Sequence, residues 1–489
     1  MSIFSDVINE YIEEKEIKIF ALAKYCSTDR STMYKILNGK RKPPSREIFQ
    51  KIVQFLHLTP LENQRLEEAW KISRIGPDVY YKRKSVENFI THFPSQSQVS
   101  LPGLPFIPVN TDKQISQSDV SPLNSQQQIN FCMHRMLLSE AGKETGRIGL
   151  FLQPDHTFLF SLLSSLQPVG NLNIQHIICF TSKDSFTKEH ELYNLLCFRE
   201  ILPLYLAGLN YMPRFFYDNI QSHYFNFNMY PCLILTSTSA LMCSSDYQTG
   251  ILYRKQNVVD FLWKQYLTYY ERSASLFKTA SLSPENSYDF FDMLLDTEDT
   301  DNTIIIQPEA CLTPFFTESL LKSIVNPNLP NQEFLLKQTC RNSFNNLKKI
   351  QNGQFTLYFT LDGVLRFART GLIDEIPETF YTPLSIEQRL MILQKVLSCC
   401  QSGAYRLLQK PFRHLPANLR LCIRKEQCSI IFKNNNHQTI LFLIQEPSFL
   451  DIFRDYLENM NPESFYSPKE AVSLIQKVIT CIKGLSGNK

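Results

Sequence analysis

The chain has 489 residues, a length that predicts about two to four domains. With 43% hydrophobic and 20% charged residues, its composition excludes a disordered chain. No apolar run approaches the roughly 18 residues of a transmembrane helix. The thirteen cysteines lie in apolar segments, and the first residues lack the basic segment of a signal peptide. We therefore expect a cytoplasmic protein with reduced thiols and no membrane span.

The N-terminal segment shows helical periodicity from its first residues. Apolar side chains recur at helical spacing over residues 4–16 and predict a first helix. Leu22 and Ala23 indicate a short second helix, and the polar residues Ser27, Thr28 and Asp29 interrupt the pattern. The pattern predicts two helices followed by a tight turn.

A third helix is predicted to follow Asp29, whose carboxylate can accept a hydrogen bond from the unpaired N–H groups of the next turn. Met33, Ile36 and Leu37 give this helix a buried face, and Gly39 follows as a left-handed residue that ends it. The outward face and the next loop carry hydrogen-bonding and basic side chains: Arg30, Ser31, Tyr34, Lys35, Asn38, Lys40, Arg41 and Lys42.

Two more helices complete the segment. Ser45 precedes an apolar pattern that predicts a fourth helix. Thr59 and Glu62 have the spacing of a capping box, with Pro60 at the first helical position, so a fifth helix is predicted to run from there to about Lys71. The sequence therefore predicts an all-α five-helix domain over residues 1–75.

Basic residues are concentrated around the third helix. Residues 30–51 contain seven basic residues and one acidic residue, Glu47, whereas the whole chain has a net charge of only +3. A local basic surface is typical of proteins that contact DNA phosphates. The alternative is an ordinary five-helix bundle with a solvated basic loop.

Residues 18–56 resemble the lambda-repressor-like helix-turn-helix of the XRE family of transcriptional regulators. The matching motifs are Leu22-Ala23, Arg30-Ser31-Thr32 and Asn38-Gly39-Lys40-Arg41-Lys42-Pro43. The resemblance implies contacts with bases by Arg30, Ser31, Tyr34 and Lys35, and contacts with phosphates by Asn38 and Lys40.

This resemblance covers about 70 of the 489 residues and departs from the family pattern at two positions. Ile19 stands where family members often have a glutamine that binds a phosphate. Leu37 stands where they often have glutamate. Neither change prevents the fold, but Ile19 removes one expected contact with the DNA backbone.

Residues 76–128 are predicted to form a linker, basic at first and rich in Pro, Ser and Gln from residue 94 onwards. Strand-like and helical runs then alternate and predict an α/β body. The predicted strands include 147–152, 174–180, 232–235, 302–307, 355–359 and 428–432. The predicted helices include 258–270, 315–325 and 449–457.

The body also contains signs of an internal duplication. Gln153-Pro154-Asp155 follows one predicted strand, and Gln307-Pro308-Glu309 follows another. Aligning Cys232 with Cys422, 190 positions later, keeps apolar and polar residues in step over about forty residues. The pattern predicts two similar α/β subdomains, 129–275 and 276–489; the alternative is a chance alignment.

The order of elements in the body is similar to that of the phospholipase D superfamily, in which two repeats face each other. That resemblance implies a nucleophilic histidine in a His-x-Lys pair. None of the nine histidines has lysine two residues later, and no glycine-rich phosphate loop or zinc motif is present. We therefore expect no catalytic residues, no metal and no cofactor, and we expect that the chain is not an enzyme.

Taken together, these patterns predict a sequence-specific DNA-binding transcriptional regulator with a C-terminal sensor or oligomerisation body. The expected partners are double-stranded DNA, a second copy of the chain in a homodimer and an unidentified small-molecule effector. The alternatives are a phosphodiesterase-like enzyme and a protein-interaction platform, each with an attached DNA-binding head.

Overall fold

The computed structural model describes residues 2–94, 118–183, 185–187, 189–226, 228–283, 287–295, 302–416, 419–434 and 438–486. The chain forms two compact units. The first, here called the head, comprises Met1–Ser85 and Lys188–Glu191; the second, called the body, comprises Val86–Thr187 and Leu192–Lys489. Within the described ranges, no helix is both long and apolar enough to cross a lipid bilayer.

The head contains five helices around one apolar core. They are α1 (Ile3–Glu14), α2 (Ile19–Tyr25), α3 (Arg30–Leu37), α4 (Arg46–Phe55) and α5 (Pro60–Ile75). Phe4, Leu22, Met33, Phe49 and Ile52 are buried in this core. All five lie where apolar residues recur at helical spacing, as predicted, because burial of that face stabilises each helix.

The capping box predicted at the start of α5 is confirmed. The Thr59 hydroxyl accepts a hydrogen bond from the Glu62 N–H at 3.3 Å, and a Glu62 carboxylate oxygen accepts one from the Thr59 N–H at 2.7 Å. The helix continues beyond the predicted end near Lys71 to Ile75. It stops at Gly76, which has a φ of 92° that L side chains rarely adopt.

The range predicted as a linker, 76–128, contains regular structure at both of its ends. A helix α6 spans Pro77–Thr91, and a strand β1 spans Val120–Leu123. Val86, Phe89 and Ile90 of α6 are buried in the apolar core of the body. These three apolar residues recur at helical spacing. The linker was predicted from composition instead, because the residues just before them are mostly basic. Residues 95–117 lie outside the described residues.

The first half of the body is built on an eight-stranded mixed sheet. In spatial order the strands are β1-β7-β6-β5-β2-β3-β4-β8. After β1 their bounds are β2 (Thr145–Phe151), β3 (Asn171–Phe180), β4 (Asn210–Tyr217), β5 (Cys232–Leu235), β6 (Ala240–Cys243), β7 (Gly250–Tyr253) and β8 (Ala274–Ser275). The helices are α7 (Gln126–Ala141), α8 (Thr157–Ser164), α9 (Tyr193–Leu206) and α10 (Gln256–Arg272), with a short π-helix at Gln221–Asn226.

The second half is built on a seven-stranded mixed sheet in the order β12-β11-β10-β13-β14-β15-β9. Its strands are β9 (Phe277–Leu282), β10 (Thr303–Ile306), β11 (Phe355–Phe359), β12 (Tyr405–Leu407), β13 (Arg420–Ile423), β14 (Cys428–Lys433) and β15 (Thr439–Ile444). Its α-helices are α11 (Tyr288–Leu295), α12 (Glu318–Ile324), α13 (Gln332–Gln351), α14 (Leu361–Thr370), α15 (Ile386–Ser402), α16 (Pro447–Glu458) and α17 (Pro468–Ser486).

Seven strands of the first sheet have the same topology as the second sheet, and the short edge strand β8 has no counterpart there. In each, a central strand (β2 or β10) pairs parallel with the next strand, which pairs parallel with a third. On its other side the central strand begins an antiparallel series, β5-β6-β7-β1 or β13-β14-β15-β9. Cys232 and Cys422 occupy the corresponding strands β5 and β13. The body is therefore an α/β structure with two similar sheets, which fits a duplication.

Both sheets contribute to the largest apolar core of the body. Phe277 of β9 stacks on Phe442 of β15 with ring centroids 4.7 Å apart, and Phe198 of α9 contacts Phe277 and Phe449. Burial of such aromatic side chains contributes the largest apolar areas in a core. The two halves are therefore held together by a shared aromatic core within one compact unit.

Candidate functional site

A tight turn joins α2 to α3 in the head. Cys26 follows α2 directly, and Ser27 has a φ of 54°, in the left-handed region. The Thr28 N–H donates to the Ala23 carbonyl at 3.0 Å. Leu22, Ala23 and Met33 are buried between the two helices and the rest of the core. The turn therefore sets α3 at a fixed angle to α2.

Both ends of α3 are fixed as predicted. A carboxylate oxygen of Asp29 accepts a hydrogen bond from the Thr32 N–H at 2.8 Å, and hydrogen bonds from Thr32 lower the pKa of Asp29. At the other end Gly39 has a φ of 66°, and the Lys40 N–H donates to the Lys35 carbonyl at 2.9 Å. The N-cap and the glycine stop are therefore confirmed.

The loop after α3 is attached to the head core. The Trp70 indole N–H donates to the Pro44 carbonyl at 2.8 Å, and the Asn9 side chain donates to the Leu37 carbonyl at 2.9 Å. Arg41 reaches back to α3, where its guanidinium donates to the Thr32 hydroxyl at 3.1 Å. These bonds hold the loop against the head core and against α3.

The eight residues predicted to contact DNA lie on α3 and in the loop that follows it, and all eight side chains are exposed. They are Arg30, Ser31, Tyr34, Lys35, Asn38, Lys40, Arg41 and Lys42. The Arg30 guanidinium lies over the Tyr34 ring, 5.5 Å from its centroid. The opposite face of α3 is buried through Met33, Ile36 and Leu37. The structure therefore places all the predicted site residues on one exposed stretch of the head.

Ion pairing separates the basic residues of this stretch from five others in the head, although Lys18, Lys24 and Arg74 also form no ion pair with a described residue. Within the described part of the chain, no carboxylate lies within ion-pair distance of Arg30, Lys35, Lys40, Arg41 or Lys42. Elsewhere in the head, ion pairs join Lys15 to Glu62, Arg46 to Glu67, Lys51 to Glu47, Arg65 to Glu10 and Lys71 to Glu67. The charge on α3 and its loop is therefore left to attract an external anion.

The body contains buried histidines, but the sequence places no lysine at the spacing required for a His-x-Lys pair. Burial lowers the pKa of both His156 and His176 to about 4. His176 Nε2 lies 3.1 Å from the Leu152 carbonyl, so it carries the proton, and Nδ1 accepts from the Tyr211 hydroxyl at 2.5 Å. A neutral imidazole with both nitrogens bonded to protein is a structural group of the core.

A second concentration of polar side chains lies in the second half of the body, around the turn that follows β10. The Gln307 amide N–H₂ donates to the Glu309 carbonyl at 2.9 Å and to a Glu375 carboxylate oxygen at 2.8 Å. The Asp374 N–H donates to Glu309 Oε2 at 2.8 Å. Arg420 pairs with Glu375 at 2.6 Å, and Arg366 pairs with Asp374.

These residues, apart from Arg366, line a cavity here called the polar cavity. Thr439 of β15 and Lys433 of β14 complete its polar lining. Burial and the nearby Asp374 carboxylate raise the pKa of Glu309 well above its usual value. Burial also raises the pKa of Asp374, against the effect of Arg366. Carboxyl groups perturbed in this way are common at functional sites.

The sequence did not predict the polar cavity. Gln307-Pro308-Glu309 was recognised only as a copy of Gln153-Pro154-Asp155, that is, as evidence of duplication. Its partners, from Asp374 to Thr439, are more than sixty residues away along the chain. The signal available in the sequence was the repetition of this turn, with a glutamine and an acidic residue at the same positions in both copies.

The chain was compared with known proteins, and neither a family model nor a curated protein matches it. Among the solved structures to which it is similar, three have 10–11% identity and TM-scores of 0.22–0.23, values too low to assign a fold or a function. A phosphatidylserine synthase from Haemophilus influenzae matches 83% of this chain and 99% of its own. The archaeal chromatin protein TrmBL2 matches 55% and 99%, and a polyphosphate kinase from Porphyromonas gingivalis matches 79% and 59%.

One conclusion of the sequence analysis does not hold. The missing His-x-Lys pair led to the expectation that the chain is not an enzyme. Two of the three structures named above are enzymes, a synthase and a kinase, although similarity at this level assigns no activity to this chain. The absence of one catalytic motif excludes only the chemistry of that motif, so the expectation was wrong in its reasoning. The XRE and phospholipase D resemblances stay predictions.

Proposed function

We propose that this chain is a sequence-specific DNA-binding protein that regulates transcription, and that its head inserts α3 into the major groove as a helix-turn-helix. The observation that carries the proposal is the set of five exposed basic residues on α3 and its loop that have no ion-pair partner within the described residues. Phosphate contacts of this kind supply most of the affinity of such proteins for DNA.

The division of roles follows from position. Arg30, Ser31, Tyr34 and Lys35 lie on the exposed face of α3, which would lie against base edges. Asn38, Lys40, Arg41 and Lys42 lie at the end of α3 and in the anchored loop, where they would contact phosphates. Arg41 is already bonded to Thr32, so it would orient α3 as well as contact the backbone.

This proposal concerns the head alone and does not depend on what the body does. An enzyme or an interaction platform that carried the same head would bind DNA through the same residues. The test therefore concerns the head residues within the full-length chain.

The test compares Tyr34→Ala with Lys40→Ala in the full-length protein. Each would be titrated against a preferred duplex, against duplexes with single base changes and against random duplex. We expect Tyr34→Ala to reduce discrimination at particular bases by about 1–3 kcal/mol, because it removes a side chain that faces base edges. We expect Lys40→Ala to weaken binding to all duplexes alike. Equal effects of both variants on every duplex would contradict the assignment of α3.

A further inference from the structure

The polar cavity contains buried polar atoms without hydrogen-bond partners. Among the described residues, none bonds to Gln307 Oε1, Glu309 Oε1, Thr439 Oγ1 or Arg420 Nε. Gln307, Glu309 and Thr439 are only 1–2% exposed. An unpaired buried polar atom costs about 1–3 kcal/mol. Four such atoms around one cavity mark it as a place where an external polar group, a water or a ligand, completes the hydrogen bonding.

The hydrogen-bonding geometry determines which atoms are acceptors. The Gln307 nitrogen already donates to two acceptors, the Glu309 carbonyl and Glu375, so its oxygen is the atom that faces no donor. With Glu309 Oε1 and the Thr439 hydroxyl, the cavity wall offers three oxygen atoms. The Glu309 oxygen accepts hydrogen bonds when its carboxyl group is ionised, and a bound ammonium group favours that form. A primary ammonium group has three N–H donors and no acceptor, which matches this set.

The same wall also offers positive groups for an anion. Arg420 uses one terminal nitrogen for Glu375 and leaves its Nε–H without a partner. Lys433, which also lines the cavity, forms no ion pair with any described residue. A carboxylate can accept hydrogen bonds from both groups. Acidic and basic side chains therefore face the cavity together, as a zwitterion requires.

A larger, mainly apolar cavity adjoins the polar cavity. The two cavities share Glu375, Arg420 and Ile431 in their walls. Phe290, Phe291, Leu329, Phe380 and Tyr381 are among the side chains that line the larger one. An apolar pocket with a few convergent polar groups at one end is typical of small-molecule sites.

We propose that the second half of the body binds a small α-amino acid with an apolar side chain. Its ammonium group would bind Gln307, Glu309 and Thr439, its carboxylate would bind Arg420 and Lys433, and its side chain would enter the apolar cavity. This site is separate from the α3 surface, and the inference does not rest on the DNA-binding proposal.

The test is calorimetric titration of the full-length protein with L-leucine and three analogues. Isocaproate lacks the ammonium group, isoamylamine lacks the carboxylate, and glycine lacks the apolar side chain. We expect leucine to bind, and each analogue to bind at least about tenfold more weakly, a loss of about 1.4 kcal/mol. Absence of leucine binding in the millimolar range would overturn the proposal, as would equal binding of isocaproate.

Thr439→Val separates ligand recognition from folding. The Thr439 hydroxyl has no partner among the described residues, so its replacement by a methyl group should not lower the melting temperature of the unliganded protein. It should weaken leucine binding about tenfold, by about 1.4 kcal/mol. The control is Thr249→Val, at the corresponding but exposed position of the first half, which should bind leucine as the wild type does. Unchanged binding by Thr439→Val would contradict the ammonium site.

Discussion

The salt dependence of DNA binding should change in a calculable way when Lys40 is replaced by alanine. Lys40 is exposed, unpaired among the described residues and held by its own backbone bond to Lys35. Each phosphate contact contributes about 0.9 to the slope of log K against log salt. Lys40→Ala should therefore reduce the slope by about 0.9 if one head engages the duplex, and by about 1.8 if two heads do. When the salt concentration rises from about 50 to 200 mM, binding by the wild type should weaken about 3.5-fold more than binding by the variant for each contact that the variant has lost.

Fluorescence anisotropy of a labelled duplex at several salt concentrations would measure these slopes. Lys15→Ala is a matched control, because it removes the same charge from a lysine that Glu62 already neutralises at 3.2 Å. We expect the slope of the control to equal that of the wild type. Two results would refute the reasoning that lysines without an ion pair mark the phosphate contacts. One is an equal slope for Lys40→Ala and the wild type, and the other is an equal reduction of the slope in Lys40→Ala and Lys15→Ala.

Three further predictions concern assembly and stability. Sedimentation velocity should show that the full-length chain is a dimer and that residues 1–75 are monomeric, because a single helix-turn-helix reads few base pairs; a monomeric full-length protein would contradict this. Burial lowers the pKa of His176 to about 4, so the unfolded state binds a proton first as the pH falls below about 6.5. The stability advantage of the wild type over His176→Gln should therefore shrink by about 3 kcal/mol between pH 7 and pH 4 in denaturant titrations, and a constant difference would be the contrary result. A Cβ at Gly363 would lie 2.1 Å from the Pro308 carbonyl oxygen, so Gly363→Ala should destabilise the protein by about 1–3 kcal/mol, whereas Gly142→Ala, with 3.5 Å to its nearest neighbour, should have little effect; equal melting temperatures would argue against this packing.

The head could be predicted closely because its signals are local. Asp29, Gly39 and Thr59 act on residues within four positions of themselves, and the periodicity of Met33 and Ile36 directly reports a buried helix face. The left-handed conformation of Ser27 was not foreseen, because that region favours glycine and nothing in the residue type indicates it.

The body could be predicted only in part, because its order depends on distant pairing. The main strands were recognised from their apolar runs, and the alignment of Cys232 with Cys422 falls on strands with the same neighbours in both sheets. The polar cavity depends on Glu309, Glu375 and Arg420 meeting through the sheet order. Local sequence patterns do not contain that information.

The most direct test of the central claim is selection of duplexes from a random pool by the full-length protein. The wild type would be compared with the variant Arg30→Ala/Tyr34→Ala/Lys35→Ala, and the double variant Lys15→Ala/Lys71→Ala would control for charge. The account predicts that the wild type and the control enrich one common sequence, and that the α3 variant enriches none while retaining weak, salt-sensitive binding. No enrichment by the wild type, or enrichment of the same sequence by the α3 variant, would contradict the account.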